Sequence, residues 1–232
     1  MPEIELVLLA FRCVTLLWRL REHYSGRVRF SKKSIQSIYF LHKFAQLLIW
    51  CPYMENLVDI KDFARYIGLS MISKGISVSP LKLQKILYYE QAWHMAFFGR
   101  ENQLFAEAPQ AWVNGPVYPE IYREYKSSVP GMCDLMKEVH FGINDRKDLL
   151  PTIESLSSTM NLSEERIGLI DSVIMLYGSK TQNQLILVTH SERPWCEARE
   201  GLLPYQASDK EISLDTMYVY YKERRERRTR KA

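Results

Sequence analysis

The strongest constraint on the fold lies between residues 59 and 99, where two helix-length apolar patterns are separated by stop and start signals. In the first, apolar residues stand at 60, 63, 64, 67 and 71, one face of a 3.6-residue period. Gly75 closes it. Ser79-Pro80 then opens a second helix, with Ser as N-cap and Pro at the first helical position, where its missing N–H does no harm. Leu83, Ile86, Leu87, Trp93 and Phe97 are expected on its buried face, and Tyr88 and Tyr89 read as packing with a polar rim. Gly99 is the expected stop.

The remainder reads largely the same way. Ala111-Trp112-Val113-Asn114-Gly115-Pro116-Val117 places turn chemistry between short extended pieces, and Pro119 starts a helix through Tyr122 and Tyr125. Residues 127–162 suggest one or two short helices joined by mobile loops. From Ser163 a helix carries Ile167, Ile170, Val173, Ile174 and Tyr177 on one side and ends at Gly178. Helices over Thr181–Val188 and Pro194–Glu200 follow, and a last one begins near Ser213. The expected fold is mainly α, a compact multi-helix domain with at most a short β element around the Trp112–Val117 segment.

Charge divides the 232 residues into three pieces. Residues 1–53 hold 8 Lys/Arg against 3 Asp/Glu, residues 54–221 hold 16 against 22, and residues 222–232 hold 7 against 2. The mildly acidic body is a poor general phosphate binder. The basic end reads first as a solvated helix terminus whose cations suit the helix dipole, and second as a contact for DNA or an acidic partner. The four cysteines, Cys13, Cys51, Cys133 and Cys196, include no CxxC pair and form no disulfide framework, so a reducing, cytoplasmic location is expected.

Residues 1–53 stand apart as an apolar and basic extension. The apolar run from Leu6 to Trp18 is broken by Arg12, which costs roughly 2.5–3.5 kcal/mol at a bilayer centre. Neither half reaches the ~20 apolar residues of a spanning helix, so stable membrane insertion is not expected. The favoured reading is upstream sequence before a start at Met54. Helices packed on the domain and a membrane-peripheral helix are the alternatives.

Signatures of chemistry are sparse. The sequence has no G-x-S-x-G elbow, Walker loop, GxGxxG or HExxH. The five histidines, His23, His42, His94, His140 and His190, lack metal-ligand spacing. No catalytic, metal or cofactor residue is assigned. The one enzymatic alternative makes His190 a general base oriented by Glu192, as in a hydrolase. The structural alternative has Thr189, His190 or Ser191 capping the helix at Pro194, with Trp195 anchoring that helix in the core.

Three blocks in order resemble one family. They are Ser79-Pro80-Leu81-Lys82-Leu83-Gln84-Lys85-Ile86-Leu87-Tyr88-Tyr89 with Ala92-Trp93-His94, then Glu107 to Tyr122 around Ala111-Trp112-Val113-Asn114-Gly115-Pro116-Val117-Tyr118-Pro119, then Thr189-His190-Ser191-Glu192-Arg193-Pro194-Trp195. Together they look like the Panacea domain, the SocA-like antitoxin family also labelled phage-associated GepA. The match covers about 54–221, leaving 1–53 and 222–232 outside. Leu185-Ile186-Leu187-Val188 departs from the family's more polar run.

The resemblance implies a helical binding protein rather than an enzyme. Members are antitoxins encoded beside diverse toxin genes, many on prophages, and neutralise the toxin by direct contact. One acts as an adaptor to a Clp-type protease. Partners implied are therefore a toxin and a Clp-type protease. The motif residues Pro80, Lys82, Leu83, Gln84, Lys85, Tyr88, Trp93, Trp112, Gly115, Pro116, Pro119, Thr189, His190, Glu192, Pro194 and Trp195 map onto the fold. Partner-specific contacts are implied in 127–162 or on the final helices.

Overall fold

The computed structural model describes residues 57–129 and 131–229. The readings placed on 1–53, including Cys13, Cys51, His23 and His42, and on the last residues of the basic tail, lie outside them. Among the described residues the protein is mainly α, with eight α-helices and one two-stranded hairpin.

Helix α1 (Ile60–Ser73) begins where the Asp59 carboxylate accepts from the Lys61 and Asp62 amides at 2.8 and 3.1 Å. These are two of the amides that a helix start leaves without intrahelical partners. It ends in a Schellman motif. Gly75, at φ 71°, donates to the Ile72 carbonyl and Ile76 to that of Met71, both at 2.9 Å. Ile60, Phe63, Ala64, Ile67 and Met71 are buried, as their spacing predicts.

Helix α2 (Pro80–Phe98) starts on Ser79, whose hydroxyl accepts from the Lys82 amide at 3.2 Å. It is not amphipathic in the ordinary sense. Every residue from Pro80 to Ala96 is buried, including Lys82, Gln84, Lys85, Glu90, Gln91 and His94. A helix apolar all round is the usual occupant of such a position, and this one is not apolar. Tyr88 and Tyr89, read as packing residues, are fully buried, because α2 has no wet face at that level. One sequence reading changes. Phe97, expected inside, is 50% exposed, because burial ends with the last turn.

The hairpin joins β1 (Gln110–Trp112) to β2 (Gly115–Val117), with Gln110 opposite Val117, Ala111 opposite Pro116 and Trp112 opposite Gly115. The chain at 210–212 adds to its outer edge. The Ala111 amide donates to the Lys210 carbonyl at 2.8 Å, and the Ile212 amide to that of Pro109 at 2.7 Å.

Helix α3 (Pro119–Lys126) follows. Two 3-10 turns, Glu138–Phe141 and Arg146–Asp148, and helix α4 (Leu149–Thr159) occupy the stretch read as short helices and loops. Helix α5 (Glu164–Gly178) is capped by Ser163. Helix α6 (Gln182–His190) opens with a capping box between Thr181 and Gln184 and runs to His190, beyond the expected end at Val188. Helix α7 (Arg193–Ala198) is short. Helix α8 (Leu214–Thr229) continues past residue 221, so the first basic residues of the tail belong to a packed helix. Helices α1, α3, α5, α6, α8 and strand β2 all pack on α2, while α4 packs on α1.

Gly115→Ala tests this packing. At φ 97°, a Cβ there would lie 2.8 Å from Lys85 Nζ and from Thr189 Oγ1. We expect a loss of about 2 kcal/mol or more in urea unfolding, from left-handed strain plus overpacking.

Candidate functional site

The three sequence blocks meet at the hairpin. Strands of three residues leave most of their backbone groups without ladder partners, and buried groups of that kind need other donors and acceptors. Side chains of α2 and α7, with Arg199 just beyond α7, meet that need. Gln84 uses both ends of its amide: Nε2 donates to the Tyr118 carbonyl at 3.3 Å, and Oε1 accepts the Tyr118 amide at 2.7 Å. Lys85 Nζ donates to the Pro116 carbonyl at 3.0 Å. Trp195 Nε1 donates to the Trp112 carbonyl at 3.1 Å, and Arg199 Nη1 to that of Ala111 at 2.8 Å.

The same device recurs two turns along α2. Gln91 Nε2 donates to the Phe105 carbonyl, and Gln91 Oε1 accepts the Leu104 amide, both at 2.7 Å. His94 Nδ1 lies 2.9 Å from the Asn102 carbonyl. Since that carbonyl only accepts, Nδ1 carries the proton. Residues 102–118 are thus laid along α2 and bonded to it side chain by side chain. Lys82 Nζ reaches the Gly178 carbonyl at 3.0 Å, tying the end of α5 to the same helix.

Burial sets the charge states. It pushes the Lys85 ammonium down to about 7 and the His94 imidazole down to about 4. Glu90, also buried, is held well above the ordinary carboxylate range by desolvation and then by Asp171.

His190 closes α6 and stacks on Trp195, ring centroids 3.9 Å apart and planes 11° from parallel. Thr189 Oγ1 donates back to the Leu185 and Ile186 carbonyls at 3.0 Å. Ser191 Oγ donates to the Val188 carbonyl at 2.7 Å. No side chain caps α7, so the expected cap at Pro194 is corrected: these hydroxyls turn back onto α6. Pro194 is buried in the first turn of α7, and Trp195 is only partly buried.

Glu192, 2% exposed, does not orient His190. Its carboxylate accepts from Tyr221 Oη at 2.6 Å and from Arg224 Nη1 at 2.7 Å. Burial raises its pKa, and Tyr221 and Arg224 pull it part of the way back. Arg224 also lies over the rings of Trp93 and Tyr221, at 5.9 and 5.8 Å. Trp93 Nε1 donates to Tyr177 Oη at 3.1 Å, and Tyr177 stacks on Tyr89 at 3.7 Å. This second cluster fastens α8 and α5 to α2.

Two polar clusters therefore account for most of the motif residues. Gln84, Lys85, Trp112, Gly115, Pro116, Thr189, His190 and Trp195 surround the hairpin, and Trp93 and Glu192 join the α8 cluster. Pro80 and Pro119 each open a helix, while Leu83 and Tyr88 lie in the core. Arg199 and Tyr221 carried no sequence signal. Each acts on a partner more than 25 residues away.

The Cys196 thiol donates to the His190 carbonyl at 3.1 Å, and burial and Glu192 raise its pKa, the opposite of an activated thiol. Among the described residues no three His, Cys, Asp or Glu side chains gather to hold a metal ion, and no helix is long and apolar enough to cross a membrane.

Residues 83–196, which hold Gln84, Lys85, the hairpin and Trp195 of the first cluster and Trp93, Tyr177 and Glu192 of the second, match the family described as antitoxin SocA-like, Panacea domain. The chain is 29% identical over 141 residues to antitoxin SocA of Caulobacter vibrioides (strain NA1000 / CB15N), covering 60% of this chain and 69% of that protein. No solved structure matches it.

Lys85→Met checks the burial argument. The lysine has an ordinary pKa of 10.5 unfolded and about 7 folded, so the unfolded chain binds more protons between these values. Wild-type stability measured against Lys85→Met should fall steadily as pH is lowered from about 10 to 7. A difference constant with pH would contradict it.

Proposed function

Taking as premise that the chain carries a SocA-like Panacea domain, we propose that it is the antitoxin of a toxin–antitoxin pair. It neutralises the product of a neighbouring gene by direct protein contact, in the cytoplasm. The working unit is residues 54–221 together with the packed part of α8, and residues 1–53 are dispensable. The motif residues act as scaffold. The observation that carries the reading is the use made of His190 and Glu192. The imidazole stacks on Trp195, and the carboxylate is held by Tyr221 and Arg224. Both serve the packing of the fold, which suits a scaffold for binding.

Delivery of the toxin to a Clp-type protease is the finer form of this proposal. A DNA-binding role through the basic tail draws less support, because two of its cations serve the fold. Arg224 pairs with Glu192, and Arg225 donates to the Ala96 carbonyl.

The experiment is induced expression of each flanking open reading frame, with and without residues 1–232 or 54–232. One neighbour should arrest growth, and both forms of this chain should restore it. If the neighbour's half-life then shortens only where the Clp protease is present, delivery is supported. An unchanged half-life with full rescue points to blocking instead. Absence of any toxic neighbour would contradict the proposal. His190→Ala should lower Tm while leaving rescue intact at permissive temperature, whereas a stable variant that fails to rescue would contradict the scaffold role.

A further inference from the structure

The loop between α7 and α8 displays the most exposed aromatic side chain among the exposed large hydrophobics. Tyr205 is 90% exposed and Leu203, two residues earlier, is 73% exposed. Single exposed apolar residues are ordinary on a protein surface. Here the backbone that presents them is fixed from below.

Arg199, itself buried, supplies the fixing. Its Nη2 donates to the carbonyls of Leu203 at 3.1 Å, Pro204 at 3.4 Å and Gln206 at 2.8 Å, while Nη1 holds Ala111 of the hairpin. The guanidinium lies over the Trp195 ring at 5.2 Å. Gln206 closes the loop on itself. Its amide donates to the Leu203 carbonyl at 3.0 Å, and its Oε1 accepts the Leu203 amide at 3.2 Å. Thus the hairpin clasp and this loop share one guanidinium. A loop ordered before binding loses less entropy on binding, and rigid aromatic anchors are the usual hot spots of interfaces.

Charge indicates the occupant. Exposed Glu200, Asp209 and Glu211 flank the loop, against Lys210 alone. A second copy docking loop to loop would set these acidic residues against one another. A bilayer with anionic headgroups is disfavoured by the acidic collar. What fits is a protein with an apolar pocket rimmed by Lys and Arg.

We propose that the loop 202–206 is the toxin-docking element of this chain, with Leu203 and Tyr205 as anchors in an apolar, basic-rimmed pocket on the toxin. This rests on the antitoxin reading. It places the contact between the last two helices rather than in 127–162.

The test uses the full chain and the growth-arresting product of the flanking gene, co-purified and measured by surface binding kinetics. Leu203→Ser/Tyr205→Ala should weaken the complex at least about thirty-fold and abolish growth rescue, with Tm unchanged. The control Leu150→Ser, at a 67% exposed position on α4, should change affinity less than about threefold. Glu200→Lys/Asp209→Lys/Glu211→Lys should slow association about tenfold at low salt and flatten its salt dependence. Binding by the double variant within threefold of wild type overturns the docking assignment and leaves the antitoxin reading standing. So does a wild-type dimer that Tyr205→Ala converts to monomer, since the loop is then a self-contact. Failure of the wild-type chain to bind any flanking product overturns the antitoxin reading and this assignment with it.

Discussion

Everything in this domain depends on a helix that is buried on all sides and is nevertheless polar. Six charged or amide- or imidazole-bearing side chains between Lys82 and His94 have almost no access to water. Such a helix is stable only if most of those groups find partners in the protein, since an unpaired buried polar group, as Glu90 Oε1 is here, costs on the order of 1–3 kcal/mol. Most of the partners are backbone groups of irregular chain. Gln84 and Gln91 each bond both a carbonyl and an amide, and Lys82, Lys85 and His94 each bond a carbonyl. The requirement runs in both directions, because the segment 102–118 has too little regular structure to satisfy itself.

That reciprocity explains how three separated sequence blocks belong to one physical object. The first block supplies the donors and acceptors on α2. The second supplies the hairpin backbone that they hold. The third supplies Trp195, with the neighbouring Arg199, from the other side. Gly115 sits where the blocks touch, with no room for a Cβ between Lys85 and Thr189. Of the residue types that would suggest chemistry elsewhere, a histidine and a buried lysine bond backbone carbonyls here, and a buried glutamate holds Tyr221 and Arg224. The outer product of the clasp is surface: the guanidinium that holds Ala111 also shapes the loop carrying Leu203 and Tyr205.

The helices were legible because their signals are local. Asp59, Ser79-Pro80, Ser163 and Thr181 cap within three residues, and Gly75 stops α1 by its backbone conformation. The hairpin was legible from Asn114-Gly115-Pro116. The complete burial of α2 was not, because the partners of Gln84, Lys85 and Gln91 lie between 13 and 34 residues away. The same limit hides the partners of Glu192, which the enzymatic alternative paired with His190. Its true partners, Tyr221 and Arg224, follow it by 29 and 32 residues, and no local spacing announces them.

The central claim is that the irregular segment 102–118 is fastened to α2 as firmly as a helix is to itself. Native-state amide hydrogen exchange tests it at two positions. The Leu104 and Tyr118 amides lie outside regular helix or strand and donate to Gln91 and Gln84. The account predicts that both exchange only through global unfolding, with the same opening free energy and urea dependence as amides in the middle of α2. Exchange through local fluctuations, insensitive to urea and faster by orders of magnitude, would contradict it.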